Sequence, residues 1–144
     1  MNTNINNVIQ IIDSFIKKEK KELDSIDFVI GISRGGLIPA AWLSTKIIKP
    51  LVAAYIDKQD NVYFDRKEWI INKNVLIVDD ICRSGKTLCK ISKLIEKSNP
   101  KSIKIFTIYD IPSIRKDEYK KYLINKLKPG EKLNEDIILP WDFD

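Results

Sequence analysis

The chain contains no histidine and only two cysteines, Cys82 and Cys89, in 144 residues. Two thiols without an imidazole cannot build the ligand sets of a zinc ribbon or zinc finger, nor a disulfide framework. Both cysteines are read as free thiols in buried or half-buried positions. No apolar run approaches the roughly 20 residues that a bilayer-spanning helix needs. The opening residues, MNTNINN, lack the basic-then-apolar layout of a secretory signal, so a cytoplasmic location is expected. Internal repeats and low-complexity linkers are missing too. Aromatic and basic residues do not interleave as they do on RNA-binding surfaces.

What is present is ordinary for a globular protein: 44% hydrophobic and 31% charged residues. The length fits one domain, residues 1–144, with a core of its own. Lys and Arg outnumber Asp and Glu by 25 to 20, and the excess is spread along the chain. An anionic small ligand explains a net charge of +5 as well as nucleic acid does. Neither nucleic acid nor a membrane is expected as a partner.

Ile5, Val8, Ile9, Ile12, Phe15 and Ile16 recur at helical spacing behind Asn4, a capping residue, and predict a helix over 5–22. Residues 26–32 read as an apolar strand ending at Ser33-Arg34-Gly35-Gly36. Residues 37–47 read as a helix with Pro39 in its first turn. Strands are expected at 51–56, 75–78 and 103–109, and a helix at 87–98, with Pro100 marking its end. Residues 57–73 carry Tyr63, Phe64 and Trp69 among charges and read as a mobile loop or ribbon. Ile114, Tyr119, Tyr122, Leu123 and Leu127 suggest a further helix, ended by Pro129-Gly130. Such alternation implies an α/β fold, a parallel β-sheet with helices on both faces. Ligands of such sheets sit at the carboxyl ends of the strands.

Two loops lie there. The first follows Val75-Leu76-Ile77-Val78, where Asp79-Asp80 arrive at the strand end and Arg83-Ser84-Gly85-Lys86-Thr87 opens a helix. Carboxylates accept hydrogen bonds from vicinal hydroxyls or hold Mg²⁺. The amides of a helix N-terminus, with a glycine permitting close approach, favour a phosphate. The bland alternative is that the acids cap the helix and Gly85 makes a turn. A nucleotide P-loop is excluded, because the residue five positions before Gly85 is Asp80 rather than glycine. The second loop, Ser33-Arg34-Gly35-Gly36, also links a strand to a helix. Arg34 offers it a planar fork for phosphate oxygens. Two anion sites with a pair of acids between them suit a sugar phosphorylated at both ends.

These motifs resemble the type I phosphoribosyltransferases, whose signature is an apolar strand, two acids and a phosphate-binding turn. GISRGGLIPA is similar to the pyrophosphate loop of the xanthine-guanine and hypoxanthine (6-oxopurine) branch, and Ile138-Leu139-Pro140-Trp141-Asp142 is similar to its tail. The resemblance implies that fold, with a small C-terminal hood and tail at 112–144 and a flexible closing loop at 57–73. It implies an enzyme that moves phosphoribose from 5-phosphoribosyl 1-pyrophosphate to a nucleobase, most simply a purine, with Mg²⁺ as cofactor. Carried over by position, Asp79 and Asp80 hold the ribose hydroxyls, directly or through metal-bound water, and act in catalysis with Arg34. Arg83, Ser84, Gly85, Lys86 and Thr87 form the 5′-phosphate nest. Ser33, Arg34 and Gly35 hold the pyrophosphate, often through a non-proline cis peptide. Tyr109, Ile137 and Trp141 are the base-side candidates. A homodimer or higher oligomer is expected, although Ala40, Ala41 and Leu43 of the 37–47 helix suit an internal core better than a partner.

The base side departs from the 6-oxopurine pattern in three places. Arg83 stands where an acid near purine N7 is usual, and 110–112 lacks the lysine that reads a 6-oxo group. Asp136 falls where an aromatic normally stacks. If Arg83 replaces the acid, its guanidinium should face the base pocket. The alternative reading is a non-catalytic or regulatory relative that senses phosphoribosyl pyrophosphate or a nucleotide.

Overall fold

The computed structural model describes residues 1–142. Six strands form one sheet: β1 (Phe28–Ser33), β2 (Leu51–Ile56), β3 (Val62–Tyr63), β4 (Asn74–Cys82), β5 (Ser102–Asp110) and β6 (Leu127–Lys132). Their spatial order is β3-β2-β1-β4-β5-β6. Every pairing is parallel except that of β3 with β2. Helices α1 (Ile5–Lys18), α2 (Lys20–Asp24), α3 (Leu37–Ile47), α4 (Lys86–Glu96) and α5 (Asp117–Leu123) complete the fold.

The central strands are apolar on both faces because both faces are covered. Val29, Ile30, Ile77, Val78, Ile105 and Phe106 are fully buried. On one face Val8, Ile12 and Phe15 of α1 and Ala40 and Leu43 of α3 pack with Val78, Phe106 and Ile108. Phe15 and Phe106 stack with ring centroids 3.9 Å apart. The α3 residues considered for a partner thus include two that serve the internal core. On the other face Leu88, Ile91 and Ile95 of α4 pack with Val75, Ile77 and Ile105. Each such apolar side chain withdrawn from water contributes roughly 1.5–3 kcal/mol before entropy is counted.

Three local expectations shift. The Asn4 side chain caps α1 by accepting from the Asn7 amide at 2.9 Å. The helix nevertheless stops at Lys18, and the chain restarts as α2 after Glu19. Both Glu19 and Glu22 reach Lys128 of β6, which favours the bend over a continuous charged helix. The strand expected at 75–78, β4, runs on to Cys82, so Asp79 and Asp80 lie within it. The expected helix ended by Pro129-Gly130 is instead α5 followed by β6, with Pro129 beside Thr107 in the edge strand. An edge position tolerates proline because one row of backbone groups there has no strand partner. No described helix is long and apolar enough to cross a membrane.

The connections leave the sheet in opposite directions from its centre. The chain passes from β1 through α3 to β2, and from β4 through α4 to β5, although β1 and β4 are neighbours. Between the carboxyl ends of such a pair the crossovers diverge and open a crevice.

Candidate active site

Both glycine loops and both acids meet at that crevice. β1 pairs with β4 only as far as Gly31 opposite Val78, whereas β4 continues along β5 through Asp79 opposite Thr107 and beyond. The acids therefore keep strand support on one side and face the β1 loop on the other. The Asp79 carboxylate accepts the Asp80 amide at 2.8 Å, and Oδ1 of Asp80 accepts the Ile81 amide at 2.7 Å. Burial, and then the adjacent charge of Asp80, push the Asp79 carboxyl well above the usual carboxylate range. A cation entering here would oppose that shift.

The β1 loop crosses directly in front of the acids. Its Ser33–Arg34 peptide is cis, as the resemblance implied. A Cβ on Gly36 would lie 2.8 Å from the Val78 carbonyl oxygen and 2.9 Å from Asp79 Cα. One on Gly35 would overlap Oδ2 of Asp80 and sit 2.8 Å from its Cγ. The two glycines are what bring the β1 loop into contact with the acids. Arg34 is exposed and forms no ion pair among the described residues, so its guanidinium is available to a ligand.

Residues 79–88 enclose a cavity of about 300 Å³. Gly85 adopts φ +90°, which turns the chain into α4. The amides of Ser84, Gly85 and Thr87 have no hydrogen-bond partner among the described residues, as befits a helix start. Lys86 Nζ contacts Asp60 at 2.8 Å and Lys90 Nζ contacts it at 3.0 Å. Asp60 belongs to a turn tied by Asp57, which accepts the Gln59 and Asn61 amides at 2.9 Å. The 57–73 stretch is thereby drawn to the nest. No sequence signal marked Asp60.

The base-side candidates divide. Tyr109 is buried and its hydroxyl hydrogen-bonds Thr3 at 2.7 Å. It lines, with Ile137, a separate groove of about 830 Å³ between α1 and β6. The structure brings neither residue into the lining of the acid-and-nest cavity. Trp141 does reach the acids, its indole N–H donating to Asp80 Oδ2 at 3.0 Å. Arg83 corrects another expectation. Its Nε donates to both oxygens of Asp136 at 3.1 Å, and the pair is about half exposed. The guanidinium is held by the tail's acid rather than presented to a base, because the residue at the expected aromatic position is itself a carboxylate.

Both cysteines are buried free thiols. Burial pushes the Cys82 thiol up to about 12 and raises that of Cys89. A thiol so far above solution pH carries almost no thiolate. At pH 8 the folded protein is expected to leave Ellman's reagent unreacted over minutes, while denaturant releases two thiols. A fast-reacting thiol in the native state would contradict this.

The phosphoribosyl transferase domain model matches residues 1–136. The chain belongs to this family. A hypoxanthine phosphoribosyltransferase of Buchnera aphidicola is 53% identical over a segment covering 35% of this chain and 29% of that protein. The hypoxanthine-guanine phosphoribosyltransferase of Staphylococcus epidermidis is 26% identical over 88% of this chain and 76% of that one. A purine phosphoribosyltransferase structure from Pyrococcus horikoshii superposes with a TM-score of 0.79 at 26% identity, covering 100% and 94% of the two chains. The α/β fold expected from strand–helix alternation is the fold of this family.

Proposed function

We propose that the protein transfers phosphoribose from 5-phosphoribosyl 1-pyrophosphate to a purine or purine-like base, giving a nucleoside 5′-monophosphate and pyrophosphate, a salvage reaction. The observation that carries this is the convergence of two anion-binding loops on one acid pair at the β1/β4 crevice. The nest of Ser84, Gly85, Lys86 and Thr87, with Arg83 at its rim, takes the 5′-phosphate through unpaired amides and the helix dipole. Ser33, Arg34 and Gly35 take the pyrophosphate.

As the glycosidic bond breaks, positive charge grows on the ribose and negative charge on the leaving group. Asp79 and Asp80, beside the sugar, stabilise the first, and the Arg34 guanidinium stabilises the second. The acid pair also suits Mg²⁺. Among the described residues no cluster of three or more potential ligands forms a protein cage. Mg²⁺ is commonly bound by one or two carboxylates together with substrate oxygens and water. Bound there, it would neutralise charge on the departing pyrophosphate. Asp79 and Asp80 are the residues that would hold it.

The test is Mg²⁺-dependent pyrophosphate release from the donor with guanine, xanthine, hypoxanthine, adenine, orotate, uracil or nicotinamide. Release with a purine is expected. Asp80→Asn should lower turnover and change the Mg²⁺ dependence, and unchanged kinetics in that variant would remove Asp80 from the mechanism. A second reading draws on the Arg83–Asp136 pair, which leaves the usual acid and aromatic positions of the base site without those groups. Donor or nucleotide binding without release for any base would establish the sensing protein instead.

A further inference from the structure

We infer that Trp141 is a positioning residue for Asp80, fixing the carboxylate plane that the donor's ribose hydroxyls, or a metal bound with them, must meet. The inference deepens the transferase reading and rests on it. Rotation of an aspartate carboxylate about its last bond is soft, so a single hydrogen bond leaves the plane loose. Asp80 has two anchors on different oxygens: the Ile81 amide on Oδ1 at 2.7 Å and the Trp141 indole N–H on Oδ2 at 3.0 Å. Each oxygen still keeps a lone pair for a ligand. The third constraint is Gly35, whose missing Cβ leaves just the space that Oδ2 fills. Two segments far from Asp80 in sequence, the β1 loop and the tail, thus meet at its Oδ2.

Trp141 is itself held firmly enough to act as an anchor. The Leu139 amide donates to Asp142 Oδ2 at 2.8 Å, and the Asp142 amide donates back to the Leu139 carbonyl at 3.0 Å. That closed turn presents the indole between them, with Pro140 restricting its backbone. Leu139 is buried, and Ile138 exchanges backbone hydrogen bonds with the N-terminal segment, accepting from Thr3 at 3.1 Å and donating to Met1 at 2.8 Å. The indole N–H, the ring's one polar atom, is spent on Asp80. Partners of this kind behind a ligand-holding carboxylate typically change affinity or activity 10–100-fold when removed.

The variants Trp141→Phe, which keeps an aromatic ring and loses only the N–H, and Trp141→Leu separate this role from stacking on a base. Calorimetry of phosphoribosyl pyrophosphate binding across a Mg²⁺ series is the main readout, with kcat, KM for base and thermal midpoint measured alongside. The expected result is about 10-fold weaker Mg²⁺-dependent donor binding and lower kcat in both variants. KM for base and the thermal midpoint of the Phe variant should stay near wild type. A Phe variant that matches wild type, with only the Leu variant raising KM for base, would overturn the inference in favour of stacking. A Phe variant that is less stable but has an unmoved Mg²⁺ midpoint would overturn it in favour of packing. Wild-type protein that binds no donor would bring down the transferase reading first and this inference with it.

Discussion

Gly35→Ala should cost at least about a hundredfold in turnover while leaving a folded protein. The new Cβ would overlap Asp80 Oδ2 and lie 3.1 Å from Trp141 Nε1. Something must move, and the softest neighbour is the carboxylate. To make room Asp80 has to swing off the indole N–H, off the Ile81 amide, or off both. The fold should survive, because the three atoms nearest the new Cβ belong to the Asp80 and Trp141 side chains rather than to backbone. A displacement of about an ångström at a reacting group is enough for a hundredfold loss. The check is steady-state turnover beside circular dichroism and the thermal midpoint. A variant that keeps wild-type turnover would show that the acid tolerates another orientation, and the tight approach of the β1 loop would then be incidental. Gly36→Ala should behave differently, since its Cβ meets the Ile32 and Val78 carbonyls and the Asp79 Cα, which are backbone and cannot rotate away. There the expected loss is in stability as well as turnover.

The parts of this site that were legible in sequence are those a few residues long. An apolar strand running into Asp79-Asp80, a Ser-Gly-Lys-Thr helix start and an Arg-Gly-Gly loop each state their chemistry within a dozen residues, and the parallel α/β order places them at one edge. The unreadable parts are contacts between distant segments. Arg83 meets Asp136 across 53 positions and Trp141 meets Asp80 across 61. A lysine–aspartate pair such as Lys86–Asp60 has no local pattern, because both residues look like ordinary solvated charges until the Asp57-centred turn places one over the other. Pro129-Gly130 misled for a different reason. The local rule that proline and glycine end a helix is sound, but it does not reveal that the segment lies at a sheet edge, where both are tolerated. Tyr109 looked free to stack because its partner, Thr3, is 106 positions away.

The largest expected stability loss lies behind the nest. Arg115 and Asp110 form an ion pair with little solvent exposure, side chains 8% and 4% accessible. The same Arg115 nitrogen reaches the Cys82 carbonyl at 3.5 Å and the Cys82 sulfur at 2.9 Å. One guanidinium thus fastens the segment leading into α5 to the ends of β4 and β5. That segment backs the turn at Gly85, since a Cβ there would lie 2.9 Å from Leu123 Cδ1 and 3.0 Å from Tyr119 Cβ. Arg115→Met preserves much of the volume but strands the Asp110 carboxylate without its counter-charge. Breaking a buried pair in this way costs about 3–5 kcal/mol, a large part of the roughly 5–15 kcal/mol that holds a typical domain together. Chemical denaturation should show the unfolding free energy falling by that amount, through a lower midpoint at an unchanged slope. Adding Asp110→Leu removes the stranded charge and should recover more than half of the loss, because the penalty is chiefly desolvation rather than a missing attraction. If Arg115→Met costs less than about 1 kcal/mol, the pair is solvated in solution and behaves as a surface salt bridge. The anchoring of α5 behind Gly85 would then have to come from Leu123 and Tyr119 alone.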